Sequence, residues 1–193
     1  MKRILYILVV VGLVIFTIIM TINRYYIPIK CIYSSEEECV QSATKSNSPN
    51  LLKRVCQRIS EDMCISLLGK LHLNSMDSLI PFISDERCHL SRSTFCAFSS
   101  VAYTSTGDYH NAHKFAVLGC DLNEGVSCAI LAAVELDNNK RSEALKTSLK
   151  GCLLNSAAAC AIAGTILIEQ GNEEEGIQFI NRCCQLGGED CCN

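Results

Sequence analysis

The chain has 193 residues, 14 of them Cys, with 49% hydrophobic residues and no Trp, a length that predicts one compact domain or one repeat array. Cysteine, at about 7% of residues, stands far above what a reducing cytosol usually tolerates in a protein without metal clusters. The four basic residues before Cys31 (Lys2, Arg3, Arg24, Lys30) have no acid among them, and the remainder carries 13 basic against 20 acidic residues. Phosphate binding needs a basic face, and no Lys/Arg cluster larger than an adjacent pair such as Lys53-Arg54 follows, so the balance argues against a nucleic-acid partner.

The first element is apolar. Ile4 to Ile22 runs 19 residues without a charge, and as a helix at ~1.5 Å per residue it spans ~28 Å, about one bilayer core. It is longer than the core of a cleavable signal peptide. Asn23-Arg24-Tyr25-Tyr26 follows, with no A-x-A pattern, so residues 1–30 read as an uncleaved signal anchor and linker with both tyrosines at the interface. The flanking charges orient this helix only weakly, and the cysteines decide: if oxidised, residues 31–193 lie outside the cytosol. No Asn-x-Ser/Thr acceptor occurs, and no lipid-modifiable Cys closes the apolar run. A single-pass protein of the bacterial inner membrane with its C-terminal domain in the periplasm fits best; a eukaryotic secretory or organellar membrane is the other reading.

Beyond the anchor each Cys has a partner eight residues away: Cys31 with Cys39, Cys56 with Cys64, Cys88 with Cys96, Cys120 with Cys128 and Cys152 with Cys160. The terminal doublets Cys183-Cys184 and Cys191-Cys192 leave open whether Cys183 pairs with 191 or 192. The first members from Cys56 to Cys184 recur every 32 residues, which is the signature of a stacked helical repeat. Eight residues along one helix span ~12 Å, whereas a disulfide needs Cα atoms within ~4.4 to 6.8 Å, so the chain must turn back between the two cysteines. Leu122-Asn123-Glu124-Gly125, Leu154-Asn155-Ser156 and Leu186-Gly187-Gly188 supply Asn or Gly just after a Leu, as helix C-terminal caps do.

Alignment on the first Cys gives columns of small residues at Ser100, Ala132 and Gly164, and again at Ala112, Ala144 and Gly176. Between them Gly107-Asp108, Asn138-Asn139 and Gly171-Asn172 read as a turn followed by an N-cap, with Glu173 to Glu175 in a first turn. Each unit is therefore two antiparallel helices. The first run from about Cys96 to Ser105, Cys128 to Leu136 and Cys160 to Glu169. The second run from about Tyr109 to Leu122, Lys140 to Leu154 and Glu173 to Leu186. Pro81 delays the second helix of the repeat beginning at Cys56 to near Ile80, and residues 31–55 form a shortened cap with Asn47-Ser48-Pro49 as its turn. The predicted fold is all-α, an α-solenoid of about four 32-residue repeats over 31–193 after a transmembrane helix.

Tyr103-x3-Gly107-x-Tyr109-x2-Ala112 is similar to the tetratricopeptide pattern. Gly119-Cys120-Asp121-Leu122-Asn123-Glu124-Gly125-Val126-Ser127-Cys128 resembles the disulfide-stapled Sel1-like repeats of the Helicobacter cysteine-rich protein type. The likeness covers about residues 56 to 193, although the unit of 32 is shorter than usual for both families. It implies that the first helices line a concave side. In this register that side carries Val101, Thr104, Ser105, Ala129, Ala133, Leu136, Asp137, Ala161, Thr165, Ile168 and Glu169, a mildly apolar groove with acids at one edge. Such a groove suits an amphipathic or extended peptide with a basic flank.

Other chemistries have weaker signals. Zinc sites gather CxxC pairs or Cys/His sets, whereas these spacings are all of eight; His110 and His113, three apart on a second helix, read as a solvated pair, and no metal or other cofactor is expected. Ser42-Ala43-Thr44-Lys45 matches the S-x-x-K of penicillin-interacting serine enzymes, but the companion S-D-N and K-T-G are absent. Penicillin binding or weak β-lactamase activity is what the cysteine-rich resemblance implies for the enzyme class, with no residue here to carry it. The expected function is a non-enzymatic module that holds a protein or peptide partner; the resemblance implies a sharper form, an immunity protein against a delivered toxin, and an envelope scaffold is equally compatible.

Overall fold

The computed structural model describes residues 10–21, 31, 33–45, 48–90 and 92–192. Among them there is no strand, and the chain is all-helical. The described part of the first helix, α1, covers residues 10–21. Among the described residues no helix is long and apolar enough to cross a membrane; the rest of the apolar run 4–22, and Tyr25 and Tyr26, lie outside them. Two compact units, residues 1–70 and 71–193, divide the chain.

In the first unit, α2 (Glu36–Thr44) is opened by Ser35, whose hydroxyl accepts from Glu38 N at 3.3 Å. Three glutamates fill its first turn, where negative charge is favoured. Pro49 stands at the start of α3 (Pro49–Cys56), the position where a missing N–H costs nothing; Asn47, placed by the sequence in this turn, is outside the described residues. Glu36 ties the unit together by accepting from Ser60 N at 3.2 Å and from Ser60 Oγ at 2.7 Å. Cys39, Val40, Ala43, Leu52, Val55 and Cys56 are buried.

The second unit begins within α4 (Glu61–Leu73). A 3-10 turn at Asp77–Leu79 precedes α5 (Pro81–His89), with Ile80 as N-cap, so Pro81 does shorten this helix from its N-terminal side. Then come α6 (Ser93–Ser105), α7 (Tyr109–Asp121), α8 (Gly125–Asp137), α9 (Arg141–Leu153), α10 (Ala157–Glu169) and α11 (Glu173–Gln185), ending in a 3-10 turn at Glu189–Cys191. Each of these six helices has 13 residues, and from α7 on each starts 16 after the one before. The 32-residue repeat is thus two equal halves.

The halves are equal because one turn is used throughout. Gly107, Asn123, Asn139, Asn155, Gly171 and Gly187 all have positive φ, between 59° and 86°. At Asn123 the N–H donates to Cys120 O at 3.0 Å, and the next N–H, of Glu124, donates to Gly119 O at 2.9 Å. Gly107 and Asp108, Asn139 and Lys140, Asn155 and Ser156, Gly171 and Asn172, and Gly187 and Gly188 repeat that pair of bonds, the Schellman closure in which a left-handed residue satisfies the last carbonyls of a helix. Asp108, Glu124 and Ser156 then open the next helix, each side chain accepting from the backbone N–H three residues on.

First helices begin three residues before the sequence reading placed them, so the second Cys of each staple lies inside the first turn rather than at its edge. Within this unit consecutive helices pack in pairs, and α6 also reaches α8 as α8 reaches α10. The first helices of successive pairs therefore form one continuous layer, the arrangement of an α-solenoid. Its core has many small side chains, among them Ala112, Ala116, Ala132, Ala144 and Ala163, with Leu71, Ile80, Ile83, Phe95, Phe115, Ile166 and Leu167 as the large ones.

Candidate partner-binding surface

All fourteen cysteines are in disulfides. Cys31–Cys39 and Cys56–Cys64 lie in the first unit, with Cα separations of 4.8 and 5.0 Å. In the second unit Cys88–Cys96, Cys120–Cys128 and Cys152–Cys160 join a helix end to the start of the next helix at 4.7, 4.6 and 4.5 Å. Cys183 pairs with Cys191 and Cys184 with Cys192.

A second column, one residue before the staple, accounts for that terminal pairing. Its helix-end members are Arg87, Gly119, Gly151 and Cys183, and eight residues on stand Phe95, Ser127, Ala159 and Cys191. Arg87 lies over the Phe95 ring at 5.0 Å. A Cβ on Gly119 would collide with the Ser127 side chain, and one on Gly151 would stand 2.6 Å from the Ala159 Cβ. This contact is covalent only in the last turn, where Cys183 replaces Gly and meets Cys191. Cys184 then continues the staple column to Cys192. Two bridges in parallel tie the end of α11 to the 3-10 turn after it.

On the first-helix layer, Thr104, Ser105, Ala133, Asp137, Thr165 and Glu169 are exposed, Ile168 is just exposed, and Val101 and Leu136 are half-buried. Ala129 is buried and Ala161 half-buried, which corrects the expected surface: these alanines pack between helices. Glu169 forms an ion pair with Arg141 of the preceding second helix. The acidic edge is thereby partly neutralised, and the exposed character of both partners leaves that pair worth little by itself. What remains is a shallow stripe of small and apolar side chains crossing α6, α8 and α10.

The residues considered for catalysis and metal binding lie on α2 and α7. Ser42 is half-buried on α2 and Lys45 is its exposed C-cap. His110 and His113 are both exposed on α7. Among the described residues no group of three or more His, Cys, Asp or Glu side chains is placed to hold a metal ion.

A feature that the sequence reading missed joins α5 to α6. Tyr103 Oη donates to Asp85 Oδ2 at 2.7 Å, across 18 residues of chain. Its ring stacks on Phe115 with centroids 5.6 Å apart. Burial, then the hydrogen bond and negative charge of Asp85, push the Tyr103 hydroxyl far above the ordinary phenol range, so it stays a donor. Asp108, the N-cap of α7, is held below the ordinary carboxylate range by the two hydrogen bonds from Asn111. The signal was available in the columns: Asp85 stands where later second helices carry Val117 and Leu149.

Comparison with models of known protein families and with curated proteins finds no match. The class that the structure itself defines is a disulfide-stapled helical-repeat protein.

Proposed function

We propose that the chain is a membrane-anchored, extracytosolic module that holds a protein or peptide partner on its first-helix layer, as disulfide-rich Sel1-like and tetratricopeptide-like arrays do. The observation that carries this reading is the continuous layer α6–α8–α10, whose exposed stripe from Thr104 to Ile168 is not consumed by packing. The apolar run 4–22 supplies the anchor, and seven disulfides call for an oxidising compartment, the periplasm of a bacterium. An immunity protein that blocks a delivered toxin and an envelope-assembly scaffold are the two forms this module takes.

The test is cross-linking capture with the oxidised full chain in envelope membranes, against a variant with Ala133→Arg and Thr165→Arg in the stripe. A single partner near one-to-one ratio, lost in the variant while its disulfides and melting temperature are kept, supports the module. Equal capture by both proteins would move the contact elsewhere. Turnover of a chromogenic β-lactam by the same preparation would make the chain a hydrolase instead.

A further inference from the structure

A cavity of about 380 Å³ opens beside α5 and α6, lined by Pro81, Phe82, Asp85, Tyr103, Thr106 and Asp108. It lies in the size range of small-molecule and side-chain pockets. Two local features mark this place: Pro81 at the start of α5, after the 3-10 turn, and the Asp85 carboxylate in a column that is apolar in the next two repeats. We infer that this cavity takes the cationic end of a basic side chain, a lysine ammonium or an arginine guanidinium, presented by the protein partner.

Three observations converge. Asp85 spends only one oxygen on Tyr103, and its other oxygen, Oδ1, is buried with no hydrogen-bond partner; a buried acceptor left unmade is costly, and a charged donor satisfies it best. Asp108 adds a second carboxylate to the lining, and no Lys or Arg lines the cavity among the described residues. Phe82, 56% exposed, and the Tyr103 ring supply aromatic surface for a cation and its alkyl stem. Tyr103 fixes the geometry, since its hydroxyl holds Oδ2 and leaves Oδ1 without a partner.

The inference rests on the partner-binding reading and names the chemistry of that partner. The experiment is a nuclear magnetic resonance titration of the isotope-labelled full chain in detergent with Ac-Ala-Lys-Ala-NH2 and Ac-Ala-Arg-Ala-NH2, with Ac-Ala-Nle-Ala-NH2 as the apolar control. Saturable shifts at the amides of Phe82, Asp85, Tyr103 and Thr106 with a cationic peptide, and not with the norleucine one, are expected. Asp85→Asn should weaken binding by about tenfold, the loss of one charge-assisted hydrogen bond, while its disulfides and melting temperature show it folded. The two cationic peptides separate lysine from arginine as the side chain accepted. Absence of shifts with both, equal binding of norleucine, or unchanged affinity in Asp85→Asn would overturn the inference. A partner captured equally by wild type and Asp85→Asn would overturn it too, while leaving the module itself standing.

Discussion

A Cβ built on Gly164 would stand 2.8 Å from the carbonyl oxygen of Gly176, and a Cβ on Gly176 would stand 2.8 Å from that of Gly164. The two glycines are the last members of the small-residue columns that begin with Ser100 and Ala112 and continue with Ala132 and Ala144. In the final pair the helices therefore touch backbone to backbone. Gly176→Ala should be destabilising despite its better helix propensity, because Ile168 and the Gly164 carbonyl are both in the way. Overpacking of about 1 to 3 kcal/mol exceeds the propensity gain of about 1 kcal/mol. A lower melting temperature in calorimetry is the expected result; a higher one would show that α10 and α11 can separate freely.

The turns offer a test free of packing. Gly107 has φ 78° and Gly171 has φ 85°, and a Cβ on either meets nothing within 4 Å. Alanine at each should cost about 1 to 2 kcal/mol through the left-handed backbone alone. Asn139→Gly, at φ 59°, should do the reverse and raise the melting temperature slightly. Denaturant unfolding of the three variants checks both directions together.

The staples should matter more than their number of atoms suggests, because a repeat contacts only its neighbours and this core is mostly alanine and the cysteines themselves. Replacing Cys120 and Cys128 together by Ala should lower stability by about 2 to 3 kcal/mol on the loop-entropy account of a nine-residue ring. Full reduction should unfold the array at moderate temperature. Far-ultraviolet circular dichroism in reductant measures this, and undiminished helicity would show that the small-residue core suffices.

Acid should act through Asp108. Its folded-state pKa is lowered by the bonds from Asn111, so its contribution is present above the ordinary carboxylate value of 3.8 and is lost as pH falls through the lower folded value. Asp108→Asn keeps an N-cap acceptor but cannot titrate. The melting-temperature gap between wild type and variant should therefore narrow as pH drops from neutrality to below 3.8. A gap independent of pH would locate the acid sensitivity in another carboxylate.

Much of this architecture is written in residue spacing. Cys at intervals of eight and 32, with Asn or Gly between, dictates that two helices reverse and are joined where they meet, since no straight helix brings such cysteines within bonding distance. The helix starts were less legible, because Gly125 and Ala157 carry no cap signature of their own and the caps are Glu124 and Ser156 before them. Only packing decided the pairing of the terminal doublets: Cys183 inherits the close contact that Gly119 makes with Ser127 and Gly151 with Ala159, a relation invisible until facing helices are in place. The fate of Ala129 and Ala161 was settled the same way, since a small side chain reads alike on an open groove and in a helix interface. Tertiary structure alone also joined Asp85 to Tyr103, for the hydrogen bond crosses 18 residues and the cavity beside it is lined from both α5 and α6.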